Sequence, residues 1–298
     1  MSTSVVEVET LAPAPASTQH RQLVALAGAT LGQWRSRIGL TLFLLIVGVA
    51  LIGPAFAPDS PTSFVTAPNA PSSLHGPFGG DVLGRDVWSR FLNGGRSILG
   101  MSLASTIIGV GLGLVVGLTA AYRKGWVDET LMRIADVFMA FPQIVLALLL
   151  VTAFGPSVGL IILIVGISHA PRVARVIRGA AQQIVERDFI KAAEAVGEPR
   201  RRIIFGELLP NVVSPLMVEF GLRLTYSIGL IAALNFIGDG VQPPAADWGV
   251  MINENRLALA FQPWGVVLPI IAIGLLTIGC NLLTDGFARA VIGLERGE

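Results

Sequence analysis

The chain has few of the residues from which catalytic or metal centres are built. Its 298 residues include one cysteine, three histidines and two tyrosines, and only 14% are charged. Cys280 alone gives no disulfide framework and no cysteine spacing for a metal. There is no G-x-x-x-x-G-K-[ST] stretch to cradle nucleotide phosphates and no H-E-x-x-H pattern to hold zinc. Lysine and arginine total 21 against 20 acidic residues, a net charge of +1. That balance lacks the basic footprint of a nucleic-acid partner.

Apolar residues are abundant instead, at 53% of the chain. They are gathered into long blocks with few internal charges, and a helix of roughly 20 such residues crosses a bilayer core. Six spans are read, at about 38–56, 97–122, 130–153, 157–170, 212–236 and 264–284. The expected fold class is therefore an all-α membrane protein with six transmembrane helices. The fourth span is short and must continue past Pro171 or sit where the protein is thin. Residues 1–34, rich in Ala, Pro, Ser and Thr with Glu7 and Glu9, read as a flexible cytoplasmic tail ahead of a transmembrane domain at 35–298. Ala55-Phe56-Ala57 has the look of a signal-peptide cleavage site, but the apolar stretch before it is too long for an h-region. An uncleaved first span is expected.

Basic residues set the orientation. One group of connections carries Arg21, Arg35, Arg37, Arg123, Lys124, Arg172, Arg175, Arg178, Arg187, Lys191, Arg200 to Arg202, Arg289 and Arg296. The opposite group carries only Arg85, Arg90, Arg96 and Arg256, mostly beside acids. Both termini are expected in the cytoplasm, which agrees with an even number of spans.

Three connections are long enough to hold function: outer segments 58–96 and 239–263, and an inner segment 171–210. In the first, prolines 58, 61, 68 and 71 suit an extended path. A short amphipathic helix should then run from an Asp86 cap to a stop at Gly94-Gly95. Asp81, Arg85, Asp86 and Arg90 suggest either an outer docking or gating surface or a self-paired solvated loop. In the inner segment, 188–197 reads as a helix capped by Asp188 and ended by Gly197, with Phe189, Ala193 and Val196 on one face. A second helix, 200–209, stops at Pro210. The pair would make a compact knob for a partner's groove, and a basic loop at an anionic membrane surface is the equal alternative.

Inside the fifth span lie Glu219 and Arg223, spaced to pair on one helical face. Charges at that depth either line a path or neutralise each other; Asn235, further along the same span, is placed with them. Gly109, Gly113 and Gly117 form a small-residue ridge for close helix contact. His169, beside Pro171, reads as an interfacial residue. It is adjacent to Ser168 but points away from it on a helix, which argues against an intramembrane hydrolase.

Several segments carry a family resemblance. Ala192-Ala193, Gly197 and Leu209-Pro210 resemble the "EAA" loop of ABC importer permeases, with Lys191 and Glu207 as departures. The segments 78–90, 125–133 running to Ala140-Phe-Pro142, and 235–244 with 247–251 are similar to C-type subunits of dipeptide, oligopeptide and nickel importers. This resemblance implies a type I ABC importer permease fold in the bacterial inner membrane. It also implies a second homologous permease subunit, two ATPase subunits holding ATP and Mg, and an extracytoplasmic substrate-binding protein, with no cofactor on this chain. Phe189, Ala192, Ala193, Val196, Gly197 and Arg201 would then meet an ATPase, and Glu219, Arg223 and Asn235 would line half of a path for peptides. A nickel or other small-solute importer of the same branch remains open. A self-sufficient secondary transporter would show broken helices and an inverted repeat, and the sequence displays neither.

Overall fold

A computed structural model describes residues 28–72 and 76–296. Most of the expected N-terminal tail lies outside these residues. Among them the only β contacts are two isolated bridges, Phe64 with Arg85 and Gly80 with Asp86. The regular structure is otherwise helical, and its main helices are α1 Trp34–Ile52, α2 Val87–Arg123, α3 Gly125–Ala140, α4 Gln143–Phe154, α5 Val158–Val185, α6 Asp188–Ala195, α7 Val213–Ile237, α8 Trp248–Asn255 and α9 Trp264–Arg296. Five of these helices are long and apolar enough to cross a membrane, and the bent pair α3–α4 brings the number to six. The all-α, multi-span expectation holds.

Two elements depart from the sequence reading, and a third takes one of the two courses it left open. The amphipathic helix begins at Asp86, whose carboxylate accepts from the Ser89 N–H at 2.7 Å, but it does not stop at Gly94-Gly95. It continues as a single helix of 37 residues to Arg123. The glycine pair is a packing notch: a Cβ on Gly94 would meet Trp248 Cδ1 at 2.8 Å, and one on Gly95 would meet Ala50 Cβ at 2.5 Å. Absence of side chain here serves close approach rather than helix termination.

The fourth crossing runs through Pro171 to Val185. Proline costs one backbone hydrogen bond, yet the buried stripe continues beyond it with Val173, Ala174, Ile177 and Ala181 packed against α2. Packing overrides the local break. The third crossing is the reverse case. A straight span across 130–153 is replaced by two helices bent by 83° at Phe141-Pro142. The residue before a proline is driven out of the helical region, and Phe141 is extended at φ −93°, ψ 133°. A broken helix is thus present where none was expected.

Two apolar cores sit at opposite ends of α2. One gathers Val87, Phe91, Ile98 and Met101 with Ile161, Ile231, Trp248 and Leu276. The other gathers Leu118, Ala121, Val173, Ile177, Ile190, Ile203 and Leu208. Between them, α2 and α5 make the most extensive helix pair. The ridge Gly109, Gly113 and Gly117 faces α5: a Cβ on Gly113 would lie 2.5 Å from Val173 Cβ, and one on Gly117 would lie 2.6 Å from the Ala174 carbonyl oxygen. That interface works by backbone proximity. The cores anchor two protruding assemblies, a cap around residues 58–90 and 239–263 and a knob around residues 186–212.

Candidate functional site

The knob is built as a helix, a left-handed turn and a second helix. Helix α6 closes with the Gly197 N–H on the Glu194 carbonyl at 3.0 Å and the Glu198 N–H on the Ala193 carbonyl at 3.1 Å. This is a Schellman arrangement, and it needs Gly197 at φ +83°. The second helix is not uniform: α-helical turns at Arg200–Arg202 and Leu209–Asn211 flank a π-helical stretch at Ile203–Leu208. It therefore runs past Pro210, which the sequence took as its end. The first helix starts one residue differently too, since Asp188 lies in its first turn and Arg187 takes the cap position.

Burial sorts the knob residues. Ile190, 1% exposed, is the anchor into the core with Ile203 and Leu208. Phe189 is 40% and Val196 84% exposed. Ala192, Gly197 and Arg201 are exposed too, and Ala193 is half-buried. The surface thus offered is small, apolar and rimmed by arginines. At its base Tyr122 of α2 packs against the core beneath the knob, beside Glu194 of α6, and Lys124 pairs with Glu186. The Lys124 ammonium holds the Glu186 carboxyl below the usual carboxylate range. Arg178 and Arg175 of α5 pair with Asp128 and Asp136 of α3.

At the other end, the four charges read as a docking surface or solvated loop are neither exposed nor solvated. Asp81, Arg85, Asp86 and Arg90 are all at most 2% exposed. Arg85 Nε lies 2.6 Å from Asp81 Oδ2 and its Nη2 2.8 Å from Glu254 Oε2; Arg90 Nη2 lies 2.7 Å from the same Glu254 oxygen. Two cations thus meet the two carboxylates of Asp81 and Glu254, while Asp86 is spent on capping α2. The cluster ties the segment before α2 to helix α8, as do the Val82 N–H on Asn255 Oδ1 and Gln262 Nε2 on the carbonyls of Ala70 and Phe78. Glu254 went unnoticed in the sequence. Asp59, Asp81 and Asp86 balance Arg85, Arg90 and Arg96 within the first outer segment, so its own charges gave no sign of a partner elsewhere.

Asn235 is buried in the same cap. It is 1% exposed, donates to Asp247 Oδ1 at 2.7 Å and accepts from the Val241 N–H at 2.9 Å. Those bonds fix the exit of α7 and the Asp247 cap of α8, whose Gly249 N–H donates at 2.8 Å. Both polar groups of its amide are engaged in joining the cap. Burial pushes the Asp247 carboxyl upward, against the hydrogen bonds that it accepts.

In the membrane layer, Glu219 and Arg223 pair as their spacing predicts, with Arg223 Nε 3.0 Å from Glu219 Oε2. Both are nearly buried, and the guanidinium also stacks over the half-exposed Tyr226 ring at 5.3 Å. His169 is not interfacial: it is fully enclosed, with Nε2 3.0 Å from Ser227 Oγ. Ser168 turns back to the Val165 carbonyl, so the two do not form a nucleophile and base. Gly155-Pro156-Ser157-Val158-Gly159 has the spacing of a nucleophile elbow, yet Ser157 is the exposed cap of α5 and its hydroxyl accepts from the Leu160 N–H. That motif is spent on starting a helix.

Apolar crossings that enclose an ion pair, a cap tied by buried ion pairs and a knob with exposed apolar residues are the frame of a helical membrane permease. The chain belongs to the family described as binding-protein-dependent transport system inner membrane component, whose model matches residues 109–293. It is 38% identical over 74% of its length to the glutathione transport system permease protein GsiD of Pectobacterium atrosepticum, covering 73% of that protein. It is 37% identical over 83% of its length to GsiD of Escherichia coli O157:H7, covering 82%. A solved structure described as inward facing conformations of the MetNI methionine ABC transporter shares its fold, with TM-score 0.55 and 20% identity across 68% of this chain and 96% of that one. The protein is thus a multi-pass inner-membrane permease component of an ABC importer, a non-catalytic transport subunit. The resemblance read from its motifs is borne out. Membership of this family, not an absence of broken helices, sets it apart from a self-sufficient transporter.

Proposed function

We propose that this chain forms half of the translocation path of a peptide importer, paired with a second, homologous permease subunit. Both termini and the knob face the cytoplasm, where two ATPase subunits hold ATP and Mg; the cap faces an extracytoplasmic substrate-binding protein. The chain itself binds no cofactor. Phe189, Ala192, Ala193, Val196, Gly197 and Arg201 form the surface that receives an ATPase stroke, and Glu219 with Arg223 borders the path.

One observation carries the mechanical reading. The knob exposes apolar Val196 and Phe189 while Ile190, Tyr122 and the Lys124–Glu186 pair fasten it to α2 and α5. A push on the exposed face is therefore delivered to the two most closely packed helices. Peptide as the solute class is supported by the glutathione permeases at 37–38% identity. The test is uptake by the complete complex in lipid vesicles, with glutathione, di- and tripeptides and a nickel chelate as competing solutes. Peptide-stimulated ATP turnover with peptide uptake is the expected result. Uptake of the nickel chelate alone would overturn the peptide assignment.

A further inference from the structure

A buried chain of hydrogen bonds crosses four helices beneath the broken third crossing. Thr106 donates to the Ser102 carbonyl at 2.7 Å, and its Oγ lies 3.2 Å from Ser227 Oγ. With the Thr106 proton so engaged, Ser227 is the donor in that pair and accepts in turn from His169 Nε2 at 3.0 Å. His169 Nδ1 is then left as an acceptor. It faces Gln143 Nε2 at 3.4 Å, and the same amide nitrogen donates to the Ser168 carbonyl at 3.0 Å. One imidazole thus links α2, α5 and α7 to Gln143, the first residue of α4 after the 83° elbow.

The surroundings of the elbow are loosely filled. An apolar crevice of about 200 Å³ opens between α2, α3 and α5, lined by Leu112, Ile134 and Pro171 among others. A second of about 400 Å³ lies between α4 and α5, lined by Leu150, Phe154 and Leu163 among others. Phe138 of α3 and Ile167 of α5 border both. Beside the apolar contact of Ala147 and Val151 with Ile161 and Ile164, the broken crossing is held to α5 by polar ties, Gln143 at the elbow and the Asp128–Arg178 and Asp136–Arg175 pairs along α3. Hydrogen bonds and ion pairs exchange between discrete arrangements more readily than interlocked apolar side chains do.

We propose that His169 is the pin of a latch that holds the α3–α4 elbow against α5, and that transport requires this elbow to swing. His169 acts through Gln143 and is a positioning residue. The proposal rests on the permease reading above and adds the moving part to it.

The test places a reporter thiol at position 138, half-exposed at the elbow, as Phe138→Cys in a Cys280→Ser background. The complete complex in lipid is labelled with a membrane-permeant maleimide, once free of nucleotide and once trapped with vanadate. The latch predicts that the labelling rate differs between the two states by about fivefold or more, the size of an ordinary coupling between sites. Gln143→Leu and His169→Leu should abolish that difference and lower uptake, whereas His169→Gln, which can still bond on both sides, should keep much of it. Equal labelling in the two states of the reporter complex would overturn the proposal without reference to any latch variant. A Gln143→Leu complex that retains the full difference would overturn it as well. Uptake by the reporter complex is measured in parallel. Its loss strikes the permease reading, while a flat labelling profile with intact uptake strikes only the latch.

Discussion

Replacing Glu254 by Gln should loosen the cap far more than the loss of one partly exposed carboxylate would suggest. A single carboxylate oxygen of Glu254 receives Arg85 at 2.8 Å and Arg90 at 2.7 Å, and both arginines are buried. The substitution keeps shape and one acceptor but leaves two cations facing Asp81 alone. Each lost attraction is about 4 kcal/mol at a charge separation of about 4 Å and an effective dielectric near 20. Relief of the Asp81–Glu254 repulsion returns a term of the same order. The net agrees with the roughly 3–5 kcal/mol seen when one partner of a buried pair is removed. If the cap opens locally, cleavage of the 58–86 segment tracks the open population. A loss of 3 kcal/mol or more then means about a hundredfold faster proteolysis. Limited proteolysis of the purified complex measures this directly. The double variant Glu254→Gln with Arg85→Gln restores neutrality, leaving Arg90 beside Asp81 at 3.7 Å. It should be cleaved more slowly than Glu254→Gln alone. A change of less than about threefold in the single variant, below the scale of even modest buried interactions, would refute the reasoning. So would a double variant more labile than the single one.

Other outcomes follow from individual contacts. Gly113→Val places a Cβ 2.5 Å from Val173 Cβ and 2.8 Å from the Ala170 carbonyl oxygen. It should force α2 from α5 at a cost of about 1–3 kcal/mol or more, read as loss of assembled complex on size-exclusion. Gly197→Val meets no neighbouring atom but must hold φ +83°. Its cost is backbone strain of roughly 1–2 kcal/mol, so the complex should assemble while transport and stimulated ATP turnover fall together; Gly197→Asn should be milder. Exchanging Glu219 and Arg223 keeps their attraction but moves each charge by about 6 Å along the helix. Uptake per assembled complex should drop, and normal uptake would reduce the pair to structural glue. Asp247 has its pKa raised by burial. A folded acid with a raised pKa takes its proton more readily than the unfolded one. Its contribution therefore favours the cap as pH falls and is lost as pH rises through the folded pKa. Asp247→Asn should flatten that dependence in proteolysis of the cap, whereas Asp247→Ala should lose the α8 cap at about 1 kcal/mol.

Membrane residence, the number of crossings and the knob's turn were legible because each follows from local rules. An apolar block of spanning length has one low-energy solution in lipid. Gly197 followed by Pro199 ends a helix whatever surrounds it, and Glu219 and Arg223 pair because four residues return to the same face. Where local signals compete with packing, the sequence misleads. Gly94-Gly95 reads as a stop but is the notch into which Trp248 fits, 153 or more residues away in the chain. Pro171 left the fourth span either continuing or short, and contact with α2 carries the helix through it, while Phe141-Pro142, read as part of one span, breaks it. The charges at Asp81, Arg85 and Arg90 are polar by composition, and only the arrival of Glu254 from a distant segment makes their burial tolerable. His169 gains its role from Ser227 and Gln143 on two other helices. Local chemistry thus determined what each segment could be. Long-range packing decided which breaks were real and which charges were hidden, because the energy of a buried group depends on partners that no window of sequence contains.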